Sequence, residues 1–513
     1  MKRIVFIFLI TFPFIFSCDD RGLTNVETGD GPIQITDVGT DDIGNAPRFS
    51  RLKASGKRIV DTKGNPVRLR GFNIGGYLFL ETWVNQIDHT TSSRAYHFAQ
   101  NHKYKDQIIA ALKESIPEAK KGDPLPNVCI GNSDGWLENF ATELKKLIPE
   151  PDANEFINEL KKYPSICDDS DYKLRRLLAK RFGLETRDEL ILSFIKSWIT
   201  ESDIKWISEQ GFNLIRIPIG YRTLTTDEDT ELPEKLTYNE PVFKAIDELL
   251  NWCEKYGVYA IIDLQESPGG HNDYSDFKGK LYENEKMQKL TVELWKYISS
   301  RYKNRDIVAM YSLLAEPFDA PSSDARDIVY DKIVKGIREN GDDHLLVIHD
   351  GFRGMGSLPM PEKYNWSNVV YSTHIFEFDA TSLEAYKMII GLYDKVYTEA
   401  QRRYNVPFFI GSFSVIKDVE WAYAALSELL NWYEKKQYHW SLWTYKRIDS
   451  PEAKILFNHS SMWGVRSVLR SEFRRPDIYL DSKEEIKQKF EDYKNLVLEP
   501  NQRMLDILKS FQK

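Results

Sequence analysis

Eight short apolar runs, separated by stretches with helical periodicity, constrain this chain more than any other feature. The runs are Val67–Ile74, Phe212–Ile219, Val258–Leu264, Ile307–Leu314, His344–His349, Asn368–His374, Pro407–Gly411 and Tyr438–Thr444. Nearly continuous apolar runs suit strands that are covered on both faces. The stretches between them carry apolar residues on one side only. Pro241 opens one whose stripe is Val242, Ile246, Leu249, Leu250 and Cys253, spacings that fall on a single helical face, and Gly257 marks its end. Similar stretches run near Glu189–Gln210, Glu283–Arg301, Asp324–Glu339, Ser382–Tyr404, Val419–Lys435 and Lys483–Lys509. Eight strands alternating with helices point to an α/β chain closed into a (β/α)₈ barrel; a doubly wound open sheet is the alternative the same pattern allows. Ahead of the first run, Arg58–Val67 reads as a hairpin turning at Gly64-Asn65.

The N-terminal end speaks about location. Lys2 and Arg3 precede an apolar run from Ile4 to Phe16, too short to cross a bilayer and of the length of a secretory signal core. It ends in Ser17-Cys18, which resembles a bacterial lipobox. That likeness implies a lipoprotein signal over residues 1–17, lipidation of Cys18, and export to the membrane, on the cell surface or in the periplasm. Residues 18–47 are rich in Asp, Gly and Thr and poor in large apolar side chains, the composition of a flexible tether. Residues 48–513 then form the barrel, with 84–184 inserted as a cleft-covering lobe after the first strand. Net charge is −8 with both signs well mixed, which argues against a nucleic-acid partner. Cys129 and Cys167 lie in the insertion and could pair in an oxidising compartment, whereas Cys253 sits on a core stripe. No Cys or His spacing has the form of a metal site, and no cofactor is implied.

Strand ends carry the chemistry of barrel enzymes. Read in order, they resemble glycoside hydrolase family 5, nearest its exo-β-1,3-glucanase-like branch. The likeness rests on Gly71-Phe-Asn-Ile-Gly-Gly-Tyr-Leu78, Leu80-Glu-Thr-Trp83, Gly211-Phe-Asn-Leu-Ile-Arg-Ile-Pro-Ile-Gly-Tyr221, Asp263-Leu264 with Pro268-Gly269, Glu316-Pro317 and His349-Asp350. It implies a cleft for β-linked glucan or a related oligosaccharide, and retaining hydrolysis by two carboxylates about 5–5.5 Å apart. The resemblance places Glu316 at the acid/base position, where burial should raise its pKa. It places Arg216 beneath the nucleophile, His374 on strand 6, Trp443 as the floor of the sugar site, and Glu81 and Trp83 in the first subsite.

Four positions depart from the family pattern. Ser412 stands at the nucleophile position in Phe409-Ile410-Gly411-Ser412, Ala315 replaces the asparagine before the acid, Gln265 replaces the strand 3 histidine, and Phe376 replaces the strand 6 tyrosine. A serine hydroxyl is not ionised at neutral pH and attacks only with help from a base. Removal of a nucleophile in another hydrolase costs on the order of 10⁶ in turnover. Three readings follow: a glycan-binding protein that has lost hydrolysis; an active glycosidase using another carboxylate, Glu377, Asp379 or Glu266; and a surface protein without a sugar role.

Overall fold

The computed structural model describes residues 49–512 apart from 86, 88–90, 116–135, 163–170, 227–229, 273–278, 378–379, 416–418, 449–463 and 469–475. Residues 48–513 group as one compact unit. Its centre is a closed barrel of eight parallel strands in chain order, β1 (Arg70–Asn73), β2 (Leu214–Gly220), β3 (Tyr259–Glu266), β4 (Val308–Ser312), β5 (Leu345–His349), β6 (Val369–Ile375), β7 (Phe408–Phe413) and β8 (His439–Leu442), with β8 pairing back onto β1. All eight apolar runs therefore become barrel strands, and the open-sheet alternative falls because both edges are paired.

Alternate strand residues face inward. Leu214, Ile261, Met310, Leu345, Val347, Val370 and Phe409 fill the lower barrel, and Leu52, Ile59 and Leu69 from the entering chain pack beneath them. Above this layer the inward positions turn polar, and there the site begins.

The hairpin is shorter and earlier than the sequence suggests. Lys53–Ser55 pairs with Arg58–Val60, while the turn at Asp61–Asn65 is followed only by a bridge from Val60 to Pro66 and the bond from Val67 N to Ile59 O at 2.9 Å. Pro66 has no N–H to donate, so it adds no ladder bond of its own. Two long helical stretches are also broken. Leu184–Trp198 and Glu201–Glu209 replace one helix, because Thr200 and Asp203 form a capping box that starts a new one. Lys483–Asp492 and Gln502–Ser510 are separated by a stretch containing Glu499-Pro500.

The insertion leaves from the C-terminal end of β1. Its helices Thr91–Gln100, Lys105–Ser115, Trp136–Leu147 and Glu150–Lys161 share an apolar core of their own, including Ile108, Leu112, Phe140, Leu144 and Leu160. The next helix, Asp171–Phe182, instead contributes Leu174 and Leu178 to the barrel's core. Asp171 accepts from Leu80 N at 3.1 Å and pairs with Arg175, which donates to Thr223 at 2.6 Å. The base of the lobe is thus bonded to the chain after β1 and after β2. Cys129 and Cys167 lie outside the described residues, as does Cys18. Cys253 is fully buried and free.

Candidate active site

Glu316 lies just beyond β4 in a left-handed backbone conformation, φ 50°, rare for a side-chain-bearing residue. Neighbouring groups hold it there. The carbonyl of Ala315 accepts from His271 Nε2 at 2.7 Å and from Asn272 Nδ2 at 2.9 Å, and Ala315 N donates to Leu264 O at 2.8 Å. Phe318 N closes back onto Glu316 O at 2.8 Å. Gly351 lets the chain after β5 abut this turn, since a Cβ there would lie 2.7 Å from Pro317 O. The residue is 6% exposed, and its Oε1 is hydrogen-bonded to His374 Nδ1 from β6. Burial, with the nearby Arg216 charge, holds His374 well below its ordinary pKa, so the imidazole is neutral. One proton therefore lies between Nδ1 and Oε1.

Arg216 on β2 sits lower in the barrel and is buried. It donates to Asn73 Oδ1 at 2.6 Å and pairs with Asp263 on β3 at 2.7 Å. Burial raises the Asp263 pKa, opposed by Arg216. Asn73 passes the connection on to β7 and β8, donating to Gly411 O at 3.2 Å and Ser441 O at 3.1 Å. Ser441 Oγ also donates to Gly411 O, at 2.6 Å.

Ser412 follows immediately on β7. It is 2% exposed and is the register partner of His374 across a bulge. Gly411 beside it must be glycine, because a Cβ would meet His374 Nε2 at 2.8 Å. Among the described residues the Ser412 hydroxyl has no hydrogen-bond partner. The histidine that holds Glu316 therefore also flanks Ser412. Trp443, just past β8 and joined to Thr444 by a cis peptide, is 7% exposed and lies so close to Gly75 that a Cβ there would be 2.8 Å from its ring.

The other named positions distribute as follows. Gln265 is buried on β3, and Phe376, just past β6, packs partly buried against the barrel core. Glu81 accepts from Gly76 N at 3.1 Å, and Trp83 lies in the short helix Thr82–Asn85. Glu266 is 2% exposed and paired with Arg222 at 3.5 Å; Arg222 also donates to Thr230 O and Glu231 O. Glu377 accepts from the Tyr393 hydroxyl on the helix Leu383–Tyr404. Asp379 lies outside the described residues.

Sequence reasoning assigned no role to several groups that shape the site. Asp263, Asn73, His349 and Asp350 were visible as motif members. His271 and Asn272 carried no signal, because their task is to hold one backbone carbonyl. His349 stacks edge-on against His374 with ring centres 4.4 Å apart, and its Nδ1 accepts from Gly351 N at 2.9 Å. Asp350 is buried, and desolvation pushes its pKa up to about 6.

Comparison with known proteins accords with this geometry. The sequence model of the family described as Cellulase (glycosyl hydrolase family 5) matches residues 177–448, which span β2 to β8. A β-xylosidase of Phanerodontia chrysosporium is 26% identical over 426 residues, covering 77% of this chain and 71% of that protein. Glucan 1,3-beta-glucosidase 2 of Saccharomyces cerevisiae is 27% identical over 246 residues, 44% of this chain and 43% of that protein. Endoglucanase C of Acetivibrio thermocellus is 29% identical over 182 residues, 35% of this chain and 51% of that protein. The chain spans about half the length of the last two, or less.

Proposed function

The chain belongs to glycosyl hydrolase family 5, and from that premise we propose that it is a β-glycan-binding protein whose cleft holds sugar without the covalent displacement expected of the family. The single observation that carries this reading is Ser412, a hydroxyl beside His374 where a displacement would need a carboxylate. The acid half supports ligand recognition, with Glu316 fixed by His374 and Trp443 set over Gly75. Two of the carboxylates that could substitute are already engaged, Glu266 by Arg222 and Glu377 by Tyr393. A serine hydroxyl is not an anion at neutral pH, and burial leaves His374, with its lowered pKa, a weak base for activating it. β-Linked glucans are the ligand class, as the glucosidase and endoglucanase among the relatives suggest.

We further read the protein as exported and tethered through lipid on Cys18, from the apolar run that ends at Ser17-Cys18. Metabolic labelling with a fatty acid, lost in Cys18→Ala, is the corresponding test.

Calorimetry against laminari-, cello- and xylo-oligosaccharides, with a reducing-end assay on the same samples, tests the main reading. Binding without release of new ends is expected. Turnover at rates ordinary for glycosidases would dismiss it, and absence of binding to every oligosaccharide would favour a role unrelated to sugar.

A further inference from the structure

We propose that the helix Leu383–Tyr404 is a membrane-docking face, which rests on the anionic surface of the bilayer that holds the Cys18 lipid. The inference depends on the reading of Cys18 as a lipid site and goes beyond it, since it names the part of the barrel unit that meets the membrane.

The argument begins with an uneven distribution of exposed apolar side chains. Met388 is 73% exposed, Leu392 62% and Val396 51%. They stand one turn apart on a single helix. The other large apolar side chains exposed among the described residues, such as Leu147, Ile328 and Val497, each lie on a segment of their own.

The ring of helices is open beside this stripe. Between β5 and β6 the chain makes two 3-10 turns, Met355–Ser357 and Pro361–Tyr364, where a (β/α)₈ barrel places a helix. On its other flank, the helix Leu383–Tyr404 pairs with Glu420–Lys435, through Lys387 to Glu428 at 3.1 Å and Asp394 to Lys436 at 2.8 Å. Leu392 and Val396 lie about half a turn around the helix from Lys387 and Asp394, on the flank where the helix is missing. The 3-10 segment is bonded only to the far end, where the Tyr404 hydroxyl donates to Gly356 O at 3.0 Å and Leu358 O at 2.6 Å. The middle turns stay exposed.

Charge and area select the occupant. From Lys387 to Val396 the exposed residues are Lys387, Met388, Gly391, Leu392, Lys395 and Val396, with no acid among them. Glu384 and Glu399 bound the run, and Glu399 is paired with Arg402 at 2.7 Å. Lys395 has no ion-pair partner among the described residues. Lysines beside large apolar side chains suit a lipid interface. The apolar groups enter the acyl boundary while the ammonium groups reach anionic headgroups. A second copy of the chain fits less well. Covering the three side chains removes roughly 200–300 Å² from water, well short of the about 800 Å² per partner in a stable protein interface. A lipid anchor supplies what so small a contact lacks, because it raises the effective concentration of the helix at the bilayer.

The test uses the chain from Asp19 onward, which keeps the whole compact unit and omits the apolar leader and the cysteine. Its binding therefore does not depend on acylation. Flotation compares vesicles of phosphatidylcholine with vesicles of equal parts phosphatidylcholine and phosphatidylglycerol. Binding to the anionic vesicles is expected. Met388→Ser, Leu392→Ser and Val396→Ser together should weaken it at least about tenfold. Lys395→Gln should weaken it about fivefold. Both variants should keep the parent's melting transition and oligosaccharide binding, because the altered side chains are exposed. The proposal is overturned by absence of binding to anionic vesicles, or by equal binding of the triple serine variant. Sedimentation of the parent as a dimer that the serine changes dissociate would also overturn it, in favour of a second copy. Absence of fatty-acid label at Cys18 would instead defeat the tether reading, which separates the two failures.

Discussion

The tips of β4 and β7 are built with equal care and furnished very differently. At β4, two side-chain donors hold the Ala315 carbonyl, a left-handed residue follows, and His374 receives the carboxyl of Glu316. At β7, two donors hold the Gly411 carbonyl and glycine makes room for His374, yet the next side chain is a short hydroxyl with no hydrogen-bond partner among the described residues. The difference teaches that the barrel's backbone framework and its reactive groups are separable. The hydrogen bonds that hold the Gly411 carbonyl do not depend on the side chain of the residue that follows, so the framework can stay while the group it presents differs.

The largest effect should come from trying to erase that difference. Ser412→Glu alone is expected to recover little of the roughly 8 kcal/mol of barrier, about a millionfold in rate, that a nucleophile contributes. Phe376 has no hydroxyl to orient the new carboxylate, and Ala315 and Gln265 lack the family's polar side chains. Combining it with Phe376→Tyr, Ala315→Asn and Gln265→His should exceed the single variant by at least about tenfold on an aryl glycoside. Family-level turnover from Ser412→Glu alone would mean that the two tips differ by one residue only.

A second probe concerns Asp350, which neighbours Glu316 and bonds Phe352 N at 3.1 Å. Its folded pKa of about 6 lies above the ordinary 3.8. The fold therefore holds a proton that the unfolded chain releases, and stability should fall as pH rises from about 4 to 6. The loss is at most about 3 kcal/mol. His271 works in the opposite sense, since burial lowers it to about 4 and protonation of the unfolded chain weakens the fold as pH drops from about 6.5 to 4. Urea unfolding of wild type and Asp350→Asn across this range isolates the first contribution. An identical pH slope in both proteins would remove Asp350 from the account.

His271→Ala tests whether the β4 tip depends on its anchors. It removes one donor from the Ala315 carbonyl and leaves a buried space, at a cost of about 2–3 kcal/mol in chemical denaturation. The smallest expected effect is beside Trp443. Gly75→Ala would push against the Trp443 ring and should weaken oligosaccharide binding by about 1 kcal/mol, roughly fivefold in calorimetry, and lower stability by about 1 kcal/mol as the crowded site shifts. Unchanged affinity would show that Trp443 does not carry sugar contacts.

Much of this molecule was legible from residue order. The eight apolar runs became eight strands, because burial on both faces leaves nearly continuous apolar runs; that they close into a barrel rather than an open sheet is decided by the pairing of β8 with β1. Glu316, His374, Arg216 and Ser412 could be placed on the barrel strands because the family resemblance carries those positions. What linear order leaves undetermined is how side chains from distant strands satisfy one another. Sequence alone named Glu266 and Glu377 as spare carboxylates; only the folded chain brings Arg222 to one and Tyr393 to the other. It alone sets His374 between Glu316 and Ser412, and Asp263 against Arg216. Hydrophobic periodicity is a local property and survives in one dimension. Partner choice among buried polar groups is decided by which atoms come within hydrogen-bond reach once water is excluded, and only closure of the barrel decides that.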